Sequence, residues 1–130
     1  MLNIILVGSG GFIGSALRYL IGLGVHSLLR SATFPYGTLA VNLIGCLLIG
    51  VFNGLADERL LLSPQTRLFL LAGILGGFTT FSTFSLQTLE LIQKNDWTKA
   101  GANIAASVAL CLLCTWAGWM LGQSLRKTTA

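Results

Sequence analysis

Charge is what this sequence has least of. Asp, Glu, Lys and Arg together make up 9% of 130 residues, and the formal net charge is +4. A soluble domain carries about 25% charged residues. A chain this short has a large surface for its volume, and so few charges cannot cover it. The mean hydropathy of +0.80 points the same way, so composition places the chain in a membrane. Histidine is nearly absent: His26 stands alone, which leaves no histidine cluster for a metal or a catalytic base. The three cysteines, Cys46, Cys111 and Cys114, are odd in number and lie in apolar runs. Cys111 and Cys114 form C-x-x-C without a second ligand pair, so a zinc site or disulfide framework is not expected, and the three are read as small apolar packing residues. No nucleophile–base pair is visible, so the chain is not expected to be an enzyme, and no nucleic-acid partner is expected. The first apolar run lacks a basic leader and continues past the length of a signal-peptide core, so no cleavable signal is expected.

What is present is apolar length. Four runs, at about 2–29, 34–56, 68–92 and 100–125, each reach the roughly 20 residues needed to cross the hydrocarbon core. Charges otherwise gather between the runs, at Arg30, at Asp57, Glu58, Arg59 and Arg67, at Lys94, Asp96 and Lys99, and at Arg126 and Lys127. Pro35 suits the entry of the second run and Ser63-Pro64 the loop before the third, and Tyr36 and Trp97 suit the interface. The four spans and their short loops use the whole chain, so a single four-helix transmembrane domain over 1–130 is expected, with both termini on one side. That side and the middle loop hold Arg59, Arg67, Arg126 and Lys127; the opposite side holds Arg30, Lys94 and Lys99. Orientation follows an excess of Lys and Arg on one side, and four against three is too even to fix it. Insertion in both orientations would permit an antiparallel two-fold dimer; one orientation winning by some other feature is the alternative.

The opening "ILVGSGGFIGSALRYLI" (5–21) has the look of a dinucleotide-binding strand, turn and helix. That fold needs an acidic residue about 20 positions on and alternating strands and helices. The first acidic residue after Gly14 is Asp57, so the nucleotide reading fails. A helix explains the glycines better: Gly10, Gly14, Arg18 and Gly22 recur every four residues and form one ridge. Small residues at that spacing let helices approach closely in lipid, and Gly50/Gly54, Gly73/Gly77 and Gly118/Gly122 repeat the device. Arg18 sits on this ridge, past the middle of its span. A charge there faces a partner or water-filled cavity or snorkels to the interface. No embedded carboxylate accompanies it, so the field within the spans favours an anion.

The stretch "GGFTTFSTFS" (76–85) lies inside the third span. Adjacent glycines followed by threonines and a serine weaken a helix, and broken backbone at membrane depth survives only where it is buried in protein or lines water. A break would free carbonyl oxygens, which suit a hard cation such as Na⁺; two antiparallel copies meeting there would enclose one ion on the axis. Phe78, Phe81 and Phe84 recur at three-residue spacing beside the hydroxyls of Thr79, Thr80, Ser82 and Thr83. Phenyl edges are electropositive and can line an anion path, although a Phe stripe also serves as plain core. Asn42 is the strongly polar side chain in the middle of the second run, with Thr38 one turn before it. Its amide carries two donors, for an interhelical bond or for a passing anion. Asn103 and Ser107 extend such a polar track from the fourth run.

Taken together, the glycine-rich first span with Arg18-Tyr19, "GTLAVNLIGCLLIG" around Asn42, and above all "GGFTTFSTFS" resemble the CrcB/Fluc fluoride channels over the full chain. The resemblance implies an all-α membrane protein of four transmembrane helices per subunit, with the third helix broken mid-membrane. It further implies an antiparallel, dual-topology homodimer in the lipid bilayer of the bacterial inner membrane. Two antiparallel pores would export fluoride passively from the cytoplasm and lower its toxicity. By matching positions, Asn42 would contact fluoride, Phe81 and Phe84 would form an aromatic wall, and Ser82, Thr83 and Ser107 would line a polar track that Thr38 extends. Carbonyls of Gly76 and Thr79 would hold a structural Na⁺ at the dimer centre, and Arg18 would mark the vestibule. The alternative is a small dual-topology coupled exporter of the multidrug or guanidinium type. Such an exporter needs an embedded carboxylate to exchange proton and substrate, and Glu90 lies near the end of its span.

Overall fold

A computed structural model describes residues 1–29, 33–55 and 63–129. Arg30, Ala56, Asp57, Glu58 and Arg59, which enter the span limits and the charge balance above, lie outside the described residues. The described chain is all helical, without a strand: α1 (Leu2–Leu28), α2 (Tyr36–Leu55), a third span from Pro64 to Gln93, and α6 (Trp97–Thr129). All four spans are long and apolar enough to cross a bilayer. Helices are the natural solution because hydrocarbon offers no partner for backbone groups, and a helix satisfies them internally. At 33 residues, α6 is about 50 Å long, well beyond its apolar run.

The third span is a composite. Ser63 caps α3 (Pro64–Arg67), its hydroxyl accepting the Thr66 N–H at 3.2 Å. A π-helical stretch, Leu68–Leu75, follows, then the short α4 (Gly76–Phe78). The backbone next becomes extended at Thr79 (φ −79°, ψ 156°) and Thr80 (φ −150°, ψ 116°) before α5 (Phe81–Gln93) resumes. The expected break is therefore present, at Thr79–Thr80 within the stretch 76–85 and just past its glycine pair. The π-helical stretch had no counterpart among the expectations. Such widened turns cluster at functional positions.

Two parallel helix pairs build the bundle. Along α1 and the first half of the third span, Gly10 faces Phe69 and Gly73, and Gly14 faces Ile74 and Phe78. A Cβ on Gly10 would lie 2.9 Å from the Gly73 Cα, and one on Gly14 2.9 Å from the Phe78 nitrogen. Along α2 and α6, Gly50 and Gly54 meet Thr115 and Trp119, while Gly118 and Gly122 meet Leu47 and Val51. In both seams backbone touches backbone, as the four-residue spacing predicted. The buried apolar core is small: Val41, Leu75, Phe78, Phe84, Leu91 and Ala100. Large apolar side chains such as Phe12, Leu112 and Trp116 remain exposed, as suits a protein whose solvent is lipid.

Candidate functional site

The break is held by a side chain from another helix. Thr80 N–H, which in an unbroken helix would close onto the Gly76 carbonyl, donates instead to Asn42 Oδ1 at 2.9 Å. Asn42 Nδ2 donates back to the Thr80 carbonyl at 3.2 Å. One amide thus satisfies both backbone groups of one residue at membrane depth. Nδ2 makes no other hydrogen bond among the described residues, and the residue lines a cavity wall. Thr80 Oγ1 caps α5 by accepting the Thr83 N–H at 3.2 Å, so the Thr79 carbonyl loses its helical partner too. Thr79 itself is fixed by its hydroxyl, which donates to the Leu75 carbonyl at 3.0 Å.

Two cavities flank this clamp. The first, about 470 Å³, is lined by Asn42, Gly76, Thr79, Phe81, Phe84 and Ser107, with Cys46 and Cys111 further along. The second, about 380 Å³, is lined by Arg18, Thr38 and Thr83 with Gly22 and Gly37. Thr80 belongs to both walls. Smaller cavities carry the second one onward past His26 and Gln87 to Glu90 and Lys94. The expected residues are therefore gathered on either side of the Asn42–Thr80 clamp. Ser82 is the exception: it is exposed, pairs with Thr80 Oγ1 at 3.2 Å and lines neither cavity.

The aromatic stripe divides at the break. Phe81 and Phe84 are tilted neighbours with ring centroids 5.3 Å apart, both on the first cavity. Phe78 belongs to the preceding helix and is packed into the core. A three-residue period cannot carry a side chain across extended backbone, so Phe78 does not join them. Asn103 also leaves the expected polar track: it is buried and donates to Thr88 Oγ1 at 2.8 Å, lining neither cavity. Arg18 makes no ion pair among the described residues, leaving its charge to the second cavity.

Sequence reasoning missed Thr80 as the centre of the clamp and Gln87 altogether. Gln87 Oε1 is buried without a hydrogen-bond partner, and the residue borders two of the cavities. Its signal was available: Thr80, Thr83 and Gln87 fall on one helical face at spacings of three and four.

The geometry meets its relatives here. The family described as "CrcB-like protein, Camphor Resistance (CrcB)" matches residues 5–119. A protein of Geobacter sulfurreducens named fluoride-specific ion channel FluC is 47% identical over 125 residues, covering 96% of this chain and 100% of the relative. A protein of the same name from Paramagnetospirillum magneticum is 48% identical over 129 residues, with 98% and 100% covered. Another, from Flavobacterium psychrophilum, is 41% identical over 125 residues, with 96% and 100% covered. Four membrane-length helices and these relatives make the chain a multi-pass membrane protein.

Proposed function

The chain belongs to the CrcB family, and on that premise we propose that it is a passive, fluoride-selective channel of the bacterial inner membrane, not an enzyme, which lets fluoride leave the cytoplasm. The observation that carries the reading is the Asn42–Thr80 clamp, which stands between two cavities, with Asn42 itself lining the first. Fluoride is small and holds its water tightly. A narrow path must offer a hydrogen-bond donor or positive edge at each step where water is stripped. Asn42 supplies the N–H, Phe81 and Phe84 supply ring edges, and Ser107 supplies a hydroxyl, all on the first cavity. Thr83 and Thr38 continue the hydroxyls on the second, where Arg18 contributes positive charge. Ser82 acts through Thr80, whose hydroxyl it meets.

The functional unit in this reading is an antiparallel homodimer. The near-even distribution of basic residues favours dual insertion, and the first cavity is open at the surface of the isolated subunit, where a second copy completes its wall. A structural Na⁺ fits the break chemically: the Gly76 and Thr79 carbonyls are released from helical bonding, both residues line the first cavity, and oxygen donors suit a hard cation. These carbonyls, repeated in the second copy, would hold the ion. When bound it supplies positive charge and a link between subunits.

Ion loss from liposomes tests the reading. Purified protein is reconstituted, the counter-cation is carried by an ionophore, and fluoride and chloride electrodes run in parallel without a proton gradient. Fast fluoride loss with chloride retained is the expected result. Fluoride loss only under an imposed proton gradient would move the protein to coupled transport. Equal loss of both anions would remove the selectivity.

A further inference from the structure

The cysteines are the nucleophilic side chains that the anion path leaves without a role. Cys46 lies one turn beyond Asn42 on α2, and Cys111 one turn beyond Ser107 on α6. The two helices run parallel in close contact, so the register that sets Asn42 level with Ser107 sets Cys46 level with Cys111. Both side chains are half-buried, and both line the first cavity at the same level of the α2–α6 seam. Cys114 does not line it. No group of three or more His, Cys, Asp or Glu side chains comes together among the described residues. The cavity therefore presents two thiols without a third ligand of these kinds, among apolar walls that include Ile49, Leu71 and Leu75.

Such a donor set selects among metals. Zn²⁺ requires four ligands in a tetrahedron, and Ca²⁺ and Mg²⁺ require oxygens. Sulfur donors select soft ions, and d¹⁰ ions such as Cu⁺, Ag⁺ and Hg²⁺ accept two thiolates in a line. Bringing both thiols from adjacent helices raises the effective concentration of the second once the first has bound. We propose that Cys46 and Cys111 together bind one soft d¹⁰ cation through two sulfurs, and that the bound ion closes the anion route through this cavity. Two S–H bonds break, two S–metal bonds form, both protons pass to the buffer, and no electron is transferred. With Cu⁺ or Ag⁺ the product carries one negative charge, which repels an anion; with Hg²⁺ it is neutral and acts by filling the path. The closing of the route rests on the channel reading, whereas metal binding does not.

Hg²⁺ is the probe, in chloride-free nitrate buffer, followed by exchange against an excess of a small monothiol. Wild type and Cys114→Ala should retain one Hg²⁺ per chain, while Cys46→Ala and Cys111→Ala retain it at least about tenfold less tightly. Cys46→Ser and Cys111→Ser provide the same comparison if an alanine variant fails to fold. In liposomes Hg²⁺ should stop fluoride loss through wild type and Cys114→Ala, and spare the variants lacking either member of the pair. Equal retention by single-thiol variants, no retention by wild type, or loss of retention in Cys114→Ala would each overturn the site. Retention with undiminished fluoride loss would overturn the closing of the route. Wild type that retains Hg²⁺ but passes no fluoride before its addition would leave the site standing and remove the channel reading.

Discussion

The second half of the chain interrupts its helix twice, and the two interruptions are built differently. Between α5 and α6 the turn Lys94–Asp96 closes on local backbone. Asn95 takes a left-handed φ of 58°, a conformation Asn tolerates, and Asp96 N–H reaches back to the Leu91 carbonyl at 2.9 Å, as in a Schellman turn. Asp96 then caps α6 through the Lys99 N–H. The Thr79–Thr80 break also starts a helix with a polar cap, yet it leaves backbone groups that its own segment does not satisfy. Asn42 on α2 supplies what is missing. Water can reach any group left over at the surface turn; at the break each must find a protein group or an ion. An interruption that needs a distant residue is a place where the whole bundle fixes local chemistry, and there the cavities meet.

The sharpest way to break this contrast is Asn42→Ala. It strips both partners from Thr80 at membrane depth, and each unsatisfied buried group costs about 1–3 kcal/mol. Fluoride loss from liposomes should fall to the level of empty vesicles, and the thermal midpoint in detergent should drop. Unchanged flux would take Asn42 out of the path and reduce the clamp to a packing detail. The matching change at the surface, Asn95→Gly, removes no hydrogen-bond partner and leaves flux and stability close to wild type.

A second comparison sets a glycine packed against the break beside one with open space around it. Gly45 lies against the Thr79 methyl, and a Cβ there would come within 3.3 Å of the Phe78 ring. Rotating Thr79 away would break its hydroxyl's bond to Leu75, so the methyl cannot yield cheaply. Gly45→Ala should cost about 1–3 kcal/mol by overpacking, partly offset by about 1 kcal/mol of helix propensity, and should slow flux by displacing the break. Gly24 has open space around its Cα, so Gly24→Ala should be neutral or stabilising. Thermal midpoints of the two variants in one detergent decide the matter. If both behave alike, close packing against Thr79 does not hold the break in place.

The same contrast marks what the sequence disclosed. Four spans, the glycine seams and a weakened helix near Gly76 were legible because each rests on composition or on a four-residue period. Asn42 and Ser107 stood out as polar residues in apolar runs. The Thr80 clamp was hidden because it joins residues 38 positions apart, and no local pattern records which helix lends the amide. Phe78 was misplaced for a related reason: periodicity assumes an unbroken helix, and the break it helped to reveal lies between Phe78 and Phe81.

The smallest effect belongs to the surface turn. Hydrogen bonds from the Lys99 side chain and backbone hold the Asp96 carboxyl below its ordinary value of 3.8. A carboxyl depressed in the folded state adds stability above its unfolded value and loses it as pH falls through the folded one. Asp96→Asn keeps a side-chain oxygen for the cap and removes the ion pair, which solvent screens. Wild type should therefore hold a slightly higher thermal midpoint at neutral pH. The gap should close as the pH falls below 3.8 and through the folded value, while flux at neutral pH stays unchanged. A gap that persisted in acid would show that the cap, not the charge, distinguishes the two side chains. A loss of flux would show that this turn is coupled to the path.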